Sequence, residues 1–294
     1  MISKTGTAVL NMAQHLTDAE FERFRAVINR ESGIHFSDSN RSILDSRLRE
    51  RLRAAELESV DEYYRLIHDN SEELKILLDS VTTNLTRFFR NQAHFSALEH
   101  DVVPELIKMK QSAGSTKIYI WSAGCSTGEE PYSIAMLLSE LVPKQISYEI
   151  IASDLSLKSL LIAREGYYPE TRVGGVPDHY LQRYFRQHGE GYTIADEIKN
   201  RIRFDYHNLK FDSGLRNLDL VVCRNVIIYF DDEAKQAVIE KFWDAMNENS
   251  YLIIGHSESL FGMSTRFSFR KTDRATFYVK ENKIDSAIPN MNDR

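Results

Sequence analysis

Four short segments hold residues whose types and order suit chemistry. The first is Ser122-Ala123-Gly124-Cys125-Ser126-Thr127-Gly128-Glu129-Glu130, small residues between an apolar stretch (Ile118 to Trp121) and an apolar run from Pro131 to Leu141. Small residues at the first strand-to-helix turn of a wound sheet let the backbone approach a nucleotide-like cofactor. Ser126 stands where a dinucleotide fingerprint has its second glycine, so that fingerprint is incomplete. Glu129 and Glu130 would repel a pyrophosphate that a helix N-terminus otherwise attracts. Two acids suit instead a cationic ligand bearing hydroxyl and amino groups. S-adenosylmethionine fits that description and NAD does not. The plainer alternative is that both acids complement their own helix dipole.

Asp154 is the second signal. It ends the run Ile150-Ile151-Ala152-Ser153-Asp154, where a carboxylate can accept hydrogen bonds from a ribose diol or cap the helix that starts near Ser156. The third is Val222-Cys223-Arg224-Asn225-Val226-Ile227-Ile228-Tyr229-Phe230, at the end of a buried strand. A methyltransferase acting on exocyclic base amines would carry an acid-or-Asn, Pro, Pro, aromatic sequence here, and this chain does not. A cytosine-C5 enzyme needs a cysteine after proline, whereas Cys223 follows Val222 and reads as a small core residue. The fourth is Asn84-Leu85-Thr86-Arg87-Phe88-Phe89-Arg90, a capping turn with an aromatic pair docking two domains. Its last cation is placed to orient a carboxylate.

The elements that carry these segments change character along the chain. Residues 17–110 read as helices: one from Thr17, whose Glu20 completes a capping box, one from Ser39 or Asn40 to Ala55, and others at about 60–69, 71–80 and 91–111. From Lys117 to about 281, strands near 118–121, 148–152, 218–222 and 250–255 alternate with helices at 131–141, 156–164 and 231–246, which predicts a doubly wound α/β domain. Residues 168–206 break the rhythm with Pro169, Gly174-Gly175 and Pro177. Tyr192 to Ile194 and Ile198 to Phe204 read as strands of a small antiparallel insertion. The domains expected are 1–95, helical, and 96–281, catalytic, with a flexible tail over 282–294.

Composition limits the rest. The 294 residues carry 37 Lys plus Arg against 43 Asp plus Glu, a net charge of −6, which argues against broad nucleic-acid binding. Two cysteines exclude a disulfide scaffold, and with no apolar signal core near Ala8-Val9-Leu10 the expected location is the cytoplasm. The histidines show no metal-ligand spacing, so no metal is expected; His94 and His100 read as helix-surface residues.

Taken in order, Asn84-x-Thr86-x-Phe88-Phe89-Arg90, Trp121 to Ser133, Cys223 to Phe230 and Gly255-His256-Ser257-Glu258-Ser259 resemble the CheR family of chemotaxis receptor methyltransferases. The resemblance runs from about residue 17 to 280. It implies a small N-terminal all-helical domain plus a doubly wound, Rossmann-like S-adenosylmethionine-dependent methyltransferase domain with an inserted antiparallel β-subdomain. It further implies methyl transfer to glutamates of bacterial chemoreceptors, giving glutamyl methyl esters and S-adenosylhomocysteine. By the same resemblance Asn84, Thr86, Arg90, Ala123, Gly124, Glu130, Asp154, Asn208, Leu209, Arg224 and Asn225 line the cofactor site, with Arg90 and Tyr229 nearest the reacting atoms. Glu129 is the alternative to Glu130.

Arg41, Arg47, Arg49, Arg51 and Arg53 stand in one helix against Asp45 and Glu50, with Leu44, Leu48 and Leu52 facing inward. A charge run is usually a solvated face. The resemblance makes Arg47, Arg49, Arg51 and Arg53 a docking face for an acidic receptor coiled coil. Partners expected are receptor cytoplasmic domains, through their methylation helices and in some relatives a C-terminal tail peptide. Nucleic acid is not expected, the membrane enters only through receptors, and the chain is expected to be a monomer. The competing readings are a methyltransferase for another carboxylate and a non-catalytic cofactor-binding signalling module.

Overall fold

The computed structural model describes residues 15–82 and 84–281; the expected tail, 282–294, lies outside them. The chain divides into two compact units, Met1–Thr83 and Asn84–Arg294. The division falls before the expected residue 95, because Phe88 and Phe95 belong to a core of the second unit.

In the first unit, α1 (Asp18–Ser32), α2 (Arg41–Ala54), α3 (Val60–Asp69) and α4 (Ser71–Val81) follow one another closely. The capping box is present: Glu20 N–H donates to the Thr17 hydroxyl while Thr17 N–H donates to Glu20 at 2.7 Å. α2 follows a short 3-10 turn, with Asn40 at its cap position making no side-chain cap bond. Leu44, Leu48 and Leu52 are buried with Phe21, Phe24, Ile28, Tyr63 and Leu77. Each fully buried side chain of this size contributes about 1.5–3 kcal/mol.

The second unit begins with α5 (Gln92–Ala97) and α6 (Val103–Ser112), joined by a π-helical turn over Leu98–Val102. The periodicity predicts one uninterrupted helix here. Pro104 lacks the amide hydrogen for the bond four residues back, and the widened turn precedes it. In chain order there follow β1 (Lys117–Ala123), α7 (Glu129–Leu141), β2 (Ser147–Asp154), α8 (Leu157–Glu165), β3 (Tyr167–Pro169), α9 (Glu170–Val173), α10 (Asp178–Tyr184), β4 (Phe185–His188), β5 (Gly191–Ile194) and α11 (Asp196–Lys199). The remainder is β6 (Ile202–Tyr206), β7 (Leu218–Cys223), α12 (Asp232–Ala245), β8 (Met246–Ile254), β9 (Ser268–Lys271) and β10 (Thr276–Lys280).

Among the described residues, the main sheet runs β6-β2-β1-β7-β8-β10-β9. It is parallel from β6 to β8 and antiparallel at β10 and β9. Ile118, Ile120, Ile150, Leu220 and Val222 join one apolar cluster, and Trp121, Ile151, Val221 and Cys223 join another. Alternate residues thus feed both faces, and β7, covered on both, is buried along its length.

A second sheet, β3-β5-β4, is antiparallel and forms the inserted subdomain. One expected strand is placed differently. The stretch 198–204 is not part of that insertion: Ile198 is buried in α11, while β6 pairs in parallel with β2, Ile150 opposite Ile202. The half-polar alternation of an edge strand reads the same whether its partner is parallel or antiparallel, so only the tertiary pairing decides.

Candidate active site

The four chemistry-bearing segments meet at the carboxyl ends of the parallel strands, where open α/β sheets hold their ligands. After β1 the chain turns sharply. Gly124 N–H and Cys125 N–H both donate to the Ser153 carbonyl of β2, at 2.8 and 2.9 Å. Gly124 has φ +81°, and a Cβ there would collide with the Val226 side chain in the loop after β7. Glycine is therefore required on both conformational and steric grounds. Ser126 N–H donates to Asp154 Oδ2 at 2.7 Å, and Ser156 N–H to Asp154 Oδ1 at 2.8 Å. Asp154 thus ties the glycine loop to the start of α8, although Ser156 itself caps that helix.

The two adjacent acids have different fates. Glu129 is fully buried, holding the Thr127 hydroxyl at 2.7 Å and the guanidinium of Arg172 from α9. Glu130 accepts from the Ser122 hydroxyl at 2.8 Å and from Arg224 Nη1 at 3.2 Å. Burial pushes the Glu130 carboxyl up, and the Arg224 guanidinium opposes that shift. Arg224, its side chain only 4% exposed, also donates to the Arg90 carbonyl.

Asn84 to Arg90 closes over the same loop. The Ser126 hydroxyl donates to Asn84 Oδ1 at 3.4 Å, and Phe89 N–H to the Ser133 hydroxyl of α7 at 2.9 Å. Arg90, half-buried, donates to the Leu85 carbonyl at 2.8 Å. The aromatic pair, read as a clasp between two domains, packs within the second unit: Phe88 lies edge-on to Tyr168 and Phe185, and Phe89 stacks on Tyr180. Asn208 and buried Leu209 follow β6, where His207 N–H donates to the Asp154 carbonyl at 3.0 Å. Asn225 holds φ +60° just past β7, and Tyr229 ends a 3-10 turn, half-buried. Thr86 is half-buried in the segment before Phe88.

Both cysteines are buried, and burial pushes both thiols well above their ordinary range, so neither supplies a nucleophile. The sequence reading missed the parts played by three residues of this neighbourhood. His94 is not a surface residue but is buried, its imidazole pushed down to about 4 by burial and by nearby Arg224 and His256. Arg172 anchors the insertion to the glycine loop, reinforced by the Tyr168 hydroxyl donating to the Thr127 carbonyl at 2.6 Å. Glu258 gathers the amides of the Asn225 loop. No sequence spacing announces such pairings, since the partners lie tens of residues apart.

Residues 84–276 match the CheR methyltransferase S-adenosylmethionine-binding domain, and residues 19–82 match the CheR methyltransferase all-alpha domain. The chain belongs to the CheR methyltransferase family. It is 34% identical to chemotaxis protein methyltransferase 2 of Vibrio cholerae, over 91% of this chain and 95% of that one. It is 33% identical to the chemotaxis protein methyltransferase of Borreliella burgdorferi, over 86% and 92%, and 33% identical to that of Escherichia coli, over 87% and 89%. The protein is therefore an S-adenosylmethionine-dependent methyltransferase of the chemotaxis family. The donor set fits that cofactor: two carboxylates, Glu130 and Asp154, beside a loop whose Gly124 leaves no room for a side chain. Among the described residues, no helix is long and apolar enough to cross a membrane.

The CheR all-alpha domain carries the arginine helix, whose charges prove unequal. Arg51 makes three hydrogen bonds of 2.8–3.0 Å to the Glu73 carboxylate of α4, which also accepts from the buried Tyr63 hydroxyl. Arg51 is thus committed to the interior, a correction to its expected place on a docking face. Arg41 pairs with Asp18 of α1. Arg49 pairs with buried Asp45, whose carboxyl burial would raise; the hydrogen bonds from Arg49, His15 and Leu16 N–H outweigh that and hold it below its ordinary range. Arg47, beside Glu50, and Arg53 face solvent.

Proposed function

We propose that this protein transfers a methyl group from S-adenosylmethionine to glutamate side chains of bacterial chemoreceptors, giving glutamyl methyl esters and S-adenosylhomocysteine for sensory adaptation. The observation that carries this reading is the convergence of Glu130, Asp154, Arg224 and the Asn84–Arg90 segment on one glycine loop. Asp154 would hold the ribose diol, Asn208 and Leu209 the adenine, and Glu130 the cationic end, with Asn84, Thr86, Ala123, Gly124, Arg224 and Asn225 completing the cradle. The cofactor supplies an electrophilic methyl on a sulfonium.

A glutamate of ordinary pKa, about 4.3, is already ionised at neutral pH, so the chain needs no general base. Its residues orient and desolvate. Arg90 would steer a carboxylate by charge-assisted hydrogen bonding, and the Tyr229 hydroxyl would orient the substrate oxygen or the cofactor's sulfur for transfer. With every one of these residues present, a degenerate, non-catalytic module is the poorer reading.

Receptor membranes incubated with methyl-labelled cofactor should release the label as methanol in base, the signature of an ester. Base-stable label would sink the proposal. Arg90→Ala and Tyr229→Phe should each lower turnover at saturating substrates by about tenfold to a hundredfold, the worth of one strong hydrogen bond to a charged group.

The receptor would dock on Arg47, Arg49 and Arg53 of α2. Reversing Arg47 and Arg53 to Glu should raise the Michaelis constant for receptor several-fold and flatten its salt dependence. Unchanged kinetics would return these residues to an ordinary solvated face. A receptor tail peptide would add to the inserted sheet at β4, an edge strand with Arg186, Gln187 and His188 exposed. The other edge, β3, is three residues long and ends at Pro169, which cannot donate. The same assay on receptors with and without their tails measures that tether.

A further inference from the structure

The loop Arg224–Tyr229 carries Arg224, which is bonded to Glu130 and the Arg90 carbonyl, and Asn225 beside it, yet its backbone has little regular structure to hold it. Its amides converge instead on one carboxylate from the loop after β8. Glu258 Oε2 accepts from Gly255 N–H at 2.5 Å and from Asn225 N–H at 2.8 Å. Glu258 Oε1 accepts from Val226 N–H at 3.0 Å and Ile228 N–H at 3.1 Å. Gly255 is bare where this happens: a Cβ there would lie 2.5 Å from Glu258 Oε2 and 2.9 Å from Asn225 N. The clamp also fixes Asn225 at φ +60°, and it holds Val226, the residue that lies against Gly124 of the cofactor loop.

We propose that Glu258 is a positioning residue for methyl transfer: its carboxylate, by collecting three amides of the Arg224–Tyr229 loop together with that of Gly255, sets this loop in its cofactor-binding conformation. This rests on the reading that Arg224 and Asn225 hold S-adenosylmethionine. Four N–H donors aimed at one side chain need an acceptor on both of its oxygens. A glutamine offers one acceptor oxygen and turns an NH2 group against amide donors, so it breaks the clamp while keeping the shape. The negative charge adds strength to each bond. Glu258 itself touches neither cofactor nor substrate in this role.

The test uses the full chain carrying Glu258→Gln, titrated calorimetrically with S-adenosylhomocysteine and assayed with receptor membranes. The dissociation constant should rise about tenfold to a hundredfold, in keeping with lost hydrogen bonds to a charged group. The Michaelis constant for receptor should stay within about twofold of wild type and the melting temperature within a few degrees. Wild-type affinity and turnover in Glu258→Gln would overturn the proposal. So would a loss that merely follows the unfolded fraction and raises both Michaelis constants together. Glu258→Asp, too short to reach all four amides, gives the same reading should the glutamine variant fail to fold. Asn225→Ala and Arg224→Lys separate the two layers of inference. Normal binding by both would defeat the cofactor role of the loop, whereas normal binding by the Glu258 variants alone defeats only the clamp.

Discussion

Replacing Arg224 by alanine is expected to abolish cofactor binding and to destabilise the second unit by about 3–5 kcal/mol. The guanidinium is almost wholly buried, bonded to Glu130 and to the Arg90 carbonyl, and its Cζ lies 5.9 Å from the Phe95 ring centroid. Burial alone pulls its pKa down, and Glu130 pulls it back up. Removing it strands the Glu130 carboxylate in a site that already pushes that carboxyl up. An uncompensated buried charge costs more than the pair ever contributed. Urea unfolding measures the stability loss, and calorimetry the binding. In Arg224→Ala combined with Glu130→Gln, the loss of stability should be smaller than the sum of the two single losses, because the stranded charge is gone. Additive losses would show that the two side chains do not act as a pair.

Glu73→Ala is expected to have the second largest effect, on the helical unit alone. Its carboxylate satisfies Arg51 and the Tyr63 hydroxyl at once, with the Arg51 and Glu73 side chains only 18% and 10% exposed. Loss of the carboxylate leaves a mostly buried guanidinium without its anion and a fully buried hydroxyl without its acceptor, costing about 2–4 kcal/mol. A unit of this size has little stability to spare, so its melting transition should fall by roughly 10–20 °C. Circular dichroism of the full chain follows the transition, and cofactor affinity should be unaffected in the folded protein. A transition within about 2 °C of wild type would mean that the triad contributes nothing net.

The comparison of these two sites shows which information is local. The start of α1 was legible because a capping box and apolar spacing act within a few residues; Thr17 with Glu20 needs nothing from the rest of the chain. The strands β1, β2 and β7 were legible because burial on both faces leaves continuous apolar runs. The glycine loop and Asp154 were legible because close backbone approach demands small residues and a strand-end acid. Illegible were the π-helical turn before Pro104, the partner of β6 and the division at residues 83 and 84.

By itself, then, the sequence determined most of the element types, the wound sheet and the four segments that carry the chemistry at its carboxyl edge. The tertiary structure alone decided which charges are at work and which are committed. Arg51 and Arg53 are two residues apart on one helix, yet one is tied to Glu73 and the other meets solvent. Glu129 and Glu130 are neighbours, yet one is sealed against Arg172 and the other meets Arg224. The reason is physical. Hydrophobic spacing and caps are short-range properties written into the chain, whereas a buried charge takes its value from a partner that only folding brings within hydrogen-bond reach.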